Sequence, residues 1–199
     1  MQAARGTPVG ARPLRLRLVF AAVALTAYAL DLVSKILAVE KLQDRPDVEV
    51  VGELLQLHFT RNPGAAFSAG TEYTPVITCV AMVASVAVIW FARRLGSLGW
   101  AFALGFLLAG VVGNLTDRMF RSPGPFRGHV VDMFMLPNWP VFNVADICIN
   151  IAAALILILA FRGIRLDGTR DRGEQATEST SDDAPNPMPA DQTAREQAE

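Results

Sequence analysis

Asp132 and Asp146 stand at the two ends of a short stretch, Met133-Phe134-Met135-Leu136-Pro137-Asn138-Trp139-Pro140-Val141-Phe142-Asn143-Val144-Ala145. Asp146 then opens straight into Ile147-Cys148-Ile149-Asn150-Ile151, a run apolar enough to enter a bilayer. An acid held at mid-helix depth in a membrane costs about 2.5–3.5 kcal/mol on insertion scales, so a chain that keeps one has a use for it. Two carboxylates brought close in a low-dielectric cleft cannot both ionise easily, and the pair holds one proton across a range of pH. One can draw a proton from water while the other gives one to a carbonyl oxygen, which is acid–base hydrolysis of the aspartic-protease kind. Other chemistries lack their parts. The chain has no His-Glu-x-x-His, no Cys-x-x-Cys and no glycine-rich phosphate loop, and no serine or cysteine sits beside a plausible base. No metal, no cofactor and no nucleic-acid partner is expected.

Further polar residues fall near the same place. Asp31 and Lys35 are four apart, on one helix face, where they can pair; the plainer reading is a snorkelling pair that ends a span. Asn62 lies in the turn Arg61-Asn62-Pro63-Gly64-Ala65-Ala66-Phe67. Asn114, Asp117 and Arg118 share one face of a helix end, as do Asn143, Asp146 and Asn150. Such faces cannot look at lipid without stranding amides and carboxylates, so they look into the bundle or a wet cleft. A proton- or ion-coupled transporter relaying through Asp31, Asp117 and Asp146 is the rival reading. A relay needs acids at several depths, whereas these gather at one membrane face.

The elements that position these residues follow from hydropathy. Of 199 residues, 52% are hydrophobic and 19% charged, and the apolar ones are gathered into four blocks. Each block is about 20 residues long, enough to cross some 30 Å of hydrocarbon. The expected fold is an all-α polytopic membrane protein, with four transmembrane helices and a small β-sheet on the outer membrane face. The spans are placed at about 18–39, 74–92, 98–116 and 142–161, with outer loops 40–73 and 117–141. The first block resembles a secretory signal peptide ending near Ala27-Tyr28-Ala29, but Ile36-Leu37-Ala38-Val39 and three further spans argue against cleavage. Between Val48 and Thr60, Leu55, Leu57 and Phe59 alternate with Gln56, His58 and Thr60, the period of a strand. Glycines 105, 110 and 113 let helices approach closely. Cys79 and Cys148 read as small buried hydrophobes.

Basic residues set the orientation. Arg5, Arg12, Arg15 and Arg17 precede the first span, Arg93-Arg94 lie between the second and third, and Arg162 and Arg165 follow the fourth. Placing these inside leaves both termini in the cytoplasm. Residues 1–17 are then a basic cytoplasmic N-terminus, 18–162 the membrane domain and 163–199 a disordered cytoplasmic tail. The tail's Asp, Glu, Ser, Thr and Pro cannot bury enough apolar surface to fold. Asp132 is expected to sit on a loop and to depend on its order, and Asp146 to be fixed on a helix end.

The motifs Asp31-Leu32-Val33-Ser34-Lys35, Asn62-Pro63-Gly64-Ala65-Ala66-Phe67, Gly113-Asn114-Leu115-Thr116-Asp117-Arg118, Val130-Val131-Asp132-Met133-Phe134 and Phe142-Asn143-Val144-Ala145-Asp146 come in the order seen in lipoprotein signal peptidases, also called signal peptidase II, which the chain resembles over most of 28–150. The resemblance implies a bacterial cytoplasmic-membrane enzyme that cuts prolipoproteins just before a diacylglyceryl-modified cysteine, with two aspartates and no metal. It implies Asp132 and Asp146 as the catalytic pair and Asn62, Asn114, Arg118 and Asn143 as residues lining the substrate cleft. Asp31, Lys35 and Asp117 support them. The expected partners are lipid-modified signal peptides and membrane lipids, met by a monomer. The link from 119 to 129 is longer than is usual in that family, and the acidic tail is an addition to it.

Overall fold

The computed structural model describes residues 11–64 and 73–170. The first ten residues, the Ala65-Ala66-Phe67 end of the Asn-Pro-Gly turn and the tail beyond 170 lie outside the described residues. The elements run α1 (Ala11–Leu42), β1 (Val48–Val51), β2 (Leu55–Asn62), α2 (Thr74–Ala92), α3 (Leu98–Phe120), β3 (Val130–Met135) and α4 (Val144–Phe161). All four helices are long and apolar enough to cross a membrane. Large apolar side chains such as Leu25, Val83, Val86 and Leu157 stand exposed on them, as a lipid-facing surface requires. This is a mostly helical, multi-pass membrane protein with one small sheet.

Helices α1 and α3 run side by side in the same direction, with Phe20 and Val23 against Gly105, and Lys35 against Asn114. Helix α4 runs back along α3, with Ala145 and Ile149 against Gly110 and Leu159 against Gly99. A Cβ on Gly110 would come 2.5 Å from the Ala145 carbonyl, so the close approach of α3 and α4 at the site end depends on the missing side chain. Three apolar clusters follow the bundle axis. One lies at the arginine end around Leu16, Val88, Leu95 and Leu104, one at mid-depth around Ala27, Ala109 and Cys148, and one under the sheet around Ala38, Val131 and Met133.

Several boundaries differ from the sequence expectation. Helix α1 starts seven residues earlier than the expected 18, by Ala11, because Pro13 falls in the first turn, where its missing N–H costs nothing. Helix α3 continues to Phe120, its last turn held by Asp117 with Arg121 and by Arg118 on the Asn114 carbonyl. Helix α4 begins at Val144 because Phe142 is bridged to Phe134 and Asn143 is the cap. The tail, expected to lack structure from 163, is folded to Arg170. Gly96 N–H donates to the Leu166 carbonyl, Trp100 Nε1 to the Ile164 carbonyl, and Arg165 N–H to the Thr169 carbonyl. Cys148 is buried as expected, but Cys79 is exposed on α2.

The sheet has order β1-β2-β3, both pairs antiparallel. The third strand was not expected. Its sequence, Val-Val-Asp-Met-Phe-Met, is buried through its first four positions and so lacks the alternation that marks β2. His58, a strand-face polar residue, meets Asp47 at 2.7 Å on the exposed side.

Candidate active site

Asp132 is placed by β3, where it faces Thr60 of β2. It is therefore a strand residue and only 2% exposed, not a loop residue awaiting order. Its Oδ1 accepts from Asn143 Nδ2 at 2.6 Å and its Oδ2 from Asn62 Nδ2 at 3.1 Å. Asp146 lies in the first turn of α4. Its Oδ1 accepts from Asn114 Nδ2 at 2.9 Å and its Oδ2 from the Asn143 backbone N–H at 3.1 Å. In return, Asn143 Oδ1 accepts from Asp146 N–H at 3.0 Å, which completes a reciprocal cap on α4. One asparagine thus ties the two acids together, bonding Asp132 with its side-chain amide and Asp146 with both its side chain and its backbone.

Behind this pair lies a buried ionic group. Lys35, fully buried, sits 2.9 Å from Asp31 Oδ2 and 3.1 Å from Asp117 Oδ2 and donates to Asn114 Oδ1 at 2.9 Å. The Asp31–Lys35 pair foreseen from spacing is present, but it lies inside the protein and does not snorkel. Each member reaches a different element. Asp31 Oδ1 accepts from Ala145 N–H at 2.8 Å and so fixes the start of α4; Asp117 Oδ2 accepts from Val131 N–H at 3.1 Å, one residue before Asp132. Asn114 passes the Lys35 contact on to Asp146. Gly113 is what admits Asp31, since a Cβ there would collide with its carboxylate. Arg118 donates to the Gly64 carbonyl at 3.1 Å, and Gly64 N–H donates to Asn62 Oδ1 at 3.0 Å, so Arg118 holds the turn that presents Asn62 to Asp132.

The two aspartates open on a cleft of about 610 Å³. One wall is polar, with Asn62, Asn114, Arg118, Asp132 and Asp146; the other is apolar, with Leu136, Trp139, Pro140, Phe142, Ile147 and Ile151. Asn143 is no part of the wall: it is completely buried, its amide committed to the acids and to the side-chain Oδ1 of Asn114. Asn150 lines the cleft but bonds the Asp146 backbone carbonyl, not its carboxylate. The apolar wall was not read from sequence, although Ile147 and Ile151 fall at helical spacing beside Asp146 and Asn150. Among the described residues no three of His, Cys, Asp or Glu come together as a metal site.

Burial and the neighbouring Asp146 charge push Asp132 up from the ordinary 3.8 to about 7, against the opposing pull of the Asn143 and Asn62 hydrogen bonds and of Lys35. Near neutral pH this carboxyl is therefore partly protonated, where an exposed one would be fully ionised. The arrangement provides a proton donor and a second carboxyl group on one cleft, half of it apolar.

A family model described as signal peptidase (SPase) II matches residues 23–162, which runs from within α1 to the end of α4. The chain belongs to that family. Among its relatives, the lipoprotein signal peptidase of Leifsonia xyli is 45% identical over 174 residues, covering 87% of this chain and 81% of the relative. That of Streptomyces griseus is 50% identical over 147 residues, covering 74% and 75%. That of Mycobacterium avium is 46% identical over 166 residues, covering 82% and 91%. A bacterial membrane enzyme solved in meso at 2.3 Å shares the fold with a TM-score of 0.65 at 24% identity, over 71% of this chain and 87% of its own. Membership of the signal peptidase II family makes the protein a membrane peptidase.

Proposed function

We propose that the protein is an aspartic endopeptidase that removes signal peptides from diacylglyceryl-modified prolipoproteins, with Asp132 and Asp146 as its catalytic pair. The observation that carries this is the shared Asn143. Two acids held by one asparagine, one of them raised to about 7, on a cleft with one polar and one apolar wall, have the parts for peptide hydrolysis beside a lipid.

In the resting pair Asp132 carries the proton and Asp146 is the carboxylate. Asp146 takes a proton from water as its oxygen attacks the carbonyl carbon of the residue before the lipidated cysteine, and Asp132 gives its proton to the carbonyl oxygen. The tetrahedral diol then collapses. The C–N bond breaks, the cysteine nitrogen takes the proton from Asp146, and Asp132 recovers its own from the diol hydroxyl. Asn62, Asn114 and Asn143 hold the acids in place, and Arg118 and the polar wall receive the peptide. Asp31, Lys35 and Asp117 fix the three elements that meet there. The apolar wall suits the lipid. Tethering by that lipid at the membrane surface lowers the entropic barrier.

The arginines flanking the other helix ends support an orientation with the cleft at the outer face of a bacterial cytoplasmic membrane and both termini inside. We read the protein as a monomer, both aspartates and their asparagine partners lying on the same chain.

Cleavage of a lipid-modified and an unmodified precursor by the purified enzyme tests the reading. Asp132→Asn and Asp146→Asn should each lose at least about 100-fold in rate, and the unmodified precursor should be a poor substrate. Cleavage at the wild-type rate by either variant sinks the assignment of the pair; equal cleavage of both precursors sinks the substrate class.

A further inference from the structure

The end of the bundle away from the aspartates holds a second cavity, of about 630 Å³, within the range of small-ligand sites. Three elements build it. Helix α1 supplies Arg15, Leu16 and Val19; the start of α3 supplies Ser97, Leu98 and Phe102; the turn after α4 supplies Ile164, Gly168 and Arg170. That turn is locked in place. Gly96 N–H bonds the Leu166 carbonyl, Trp100 bonds the Ile164 carbonyl, and a Cβ on Gly96 would run into the Asp167 backbone. The third wall of the cavity is thus preformed.

The lining is amphiphilic in a particular order. Leu98 and Phe102 are exposed on the surface that α3 turns to lipid, whereas Arg15 and Arg170 stand at the end of the bundle. Neither guanidinium has a carboxylate partner among the described residues. The nearby acid is Asp167, and its Oδ1 is already taken by Thr169 N–H and Oγ1. Depth agrees. Helix α1 has 32 residues, a length of about 48 Å against some 30 Å of hydrocarbon, so its first turns, Arg15 among them, stand in the headgroup layer.

We propose that this cavity binds an anionic glycerophospholipid, its phosphate between Arg15 and Arg170 and the start of an acyl chain along Val19 and Phe102. The site would tie the two ends of the helical domain, α1 and the turn after α4, together through a bound lipid.

The test uses the full-length protein in detergent, titrated with phosphatidylglycerol or phosphatidylcholine of matched chains and read by native mass spectrometry. One tightly held phosphatidylglycerol is expected, and weak phosphatidylcholine binding. Arg15→Gln with Arg170→Gln should weaken phosphatidylglycerol roughly 30-fold, the effect of two interfacial charges. Arg94→Gln with Arg162→Gln, the same loss of charge at the same end but outside the cavity, should leave it nearly unchanged. Equal weakening by both double variants would mean a diffuse basic belt and overturn the site. Equal binding of the two lipids would overturn the anionic preference. Displacement of the lipid by millimolar inorganic phosphate would leave a phosphate site with no acyl contact, and would also overturn it. The chain's own acidic segment is the other occupant to exclude: if neutralising Glu174, Glu178, Asp182 and Asp183 markedly tightens lipid binding, the cavity belongs to that segment.

Discussion

Replacing Asn143 with alanine reaches both aspartates at once and separates positioning from chemistry. The side chain makes a 2.6 Å bond to Asp132, a 3.1 Å bond to Asn114 and accepts the Asp146 N–H at 3.0 Å, all without solvent. Loss of the cap costs about 1 kcal/mol, and loss of the bond to the Asp132 carboxylate about 1.5–3 kcal/mol in its ionised form. The second loss falls on only one protonation state. The bond from Asn143 is among the forces that hold Asp132 down against burial and the Asp146 charge, so without it the proton stays on to higher pH. At 1.36 kcal/mol per pH unit, the alkaline limb of kcat/KM should move up by about 1–2 pH units. The wild-type limb should lie near neutrality, since Asp132 sits at about 7. The assay is cleavage of a diacylglyceryl-modified precursor from about pH 5 to pH 10, a span that covers the alkaline limb before and after the shift. A variant whose rate falls while its alkaline limb stays put, or moves down, would refute the claim that Asn143 sets the proton on Asp132.

The same raised carboxyl has a consequence for folding. Between 3.8 and about 7 the folded chain holds a proton on Asp132 that the unfolded chain has released, so stability falls as pH rises through that window, by up to about 4 kcal/mol, and levels off above it. Thermal unfolding in detergent should show that slope in the wild type and a flatter one in Asp132→Asn; parallel slopes would count against it. Lys35→Met leaves Asp31 buried without its cation and Asp117 with Arg121 alone, and should destabilise by about 3–5 kcal/mol. Adding Asp31→Asn should recover part of the lost melting temperature, and no recovery would mean that the charges are not coupled. Gly113→Ala drives a methyl against the Asp31 carboxylate and to 3.2 Å from Ala145 Cβ. It should cost about 1–3 kcal/mol and lower cleavage by shifting the start of α4, whereas an unchanged melting temperature would show that the seam has slack.

The four spans were legible because hydropathy and length act locally, and the Asp31–Lys35 pair because helical spacing is fixed. How deep that pair lies was not legible: burial of Lys35 depends on Asp117 and Asn114 arriving from α3, and on a glycine at 113 that leaves room. Strand β2 showed its alternation in residue type, Leu55, Leu57 and Phe59 against Gln56, His58 and Thr60, but β3 hid its own. Val131 and Met133 pack under the sheet while Asp132 turns to the cleft, and both faces are covered. That concealment is why Asp132 read as a loop residue. The cap on α4 is written in the sequence only as spacing: Asn143 and Asp146 stand at the three-residue offset of a reciprocal cap. The folded turn at 163–170 left little, because its partners are backbone groups of Gly96 and the indole of Trp100, remote in the chain.

Phe142 N–H donates to the Phe134 carbonyl, and the Phe142 carbonyl accepts from both Met133 and Phe134 N–H, at 2.9–3.0 Å. The segment between the aspartates is thereby a closed loop, its neck pinned beside Asp132 on one side and at Phe142, one turn before Asp146, on the other. Membrane helices answer changes in bilayer thickness by tilting, and a catalytic pair carried on two separate helices would change its spacing with every change of lipid. Here the spacing is carried by a short backbone clasp outside the spans. Tilt can widen or narrow the cleft by moving Asn114 and Arg118 on α3, and so alter how well a substrate seats, while the acids keep their register with each other. Thickness should therefore act on KM before it acts on kcat.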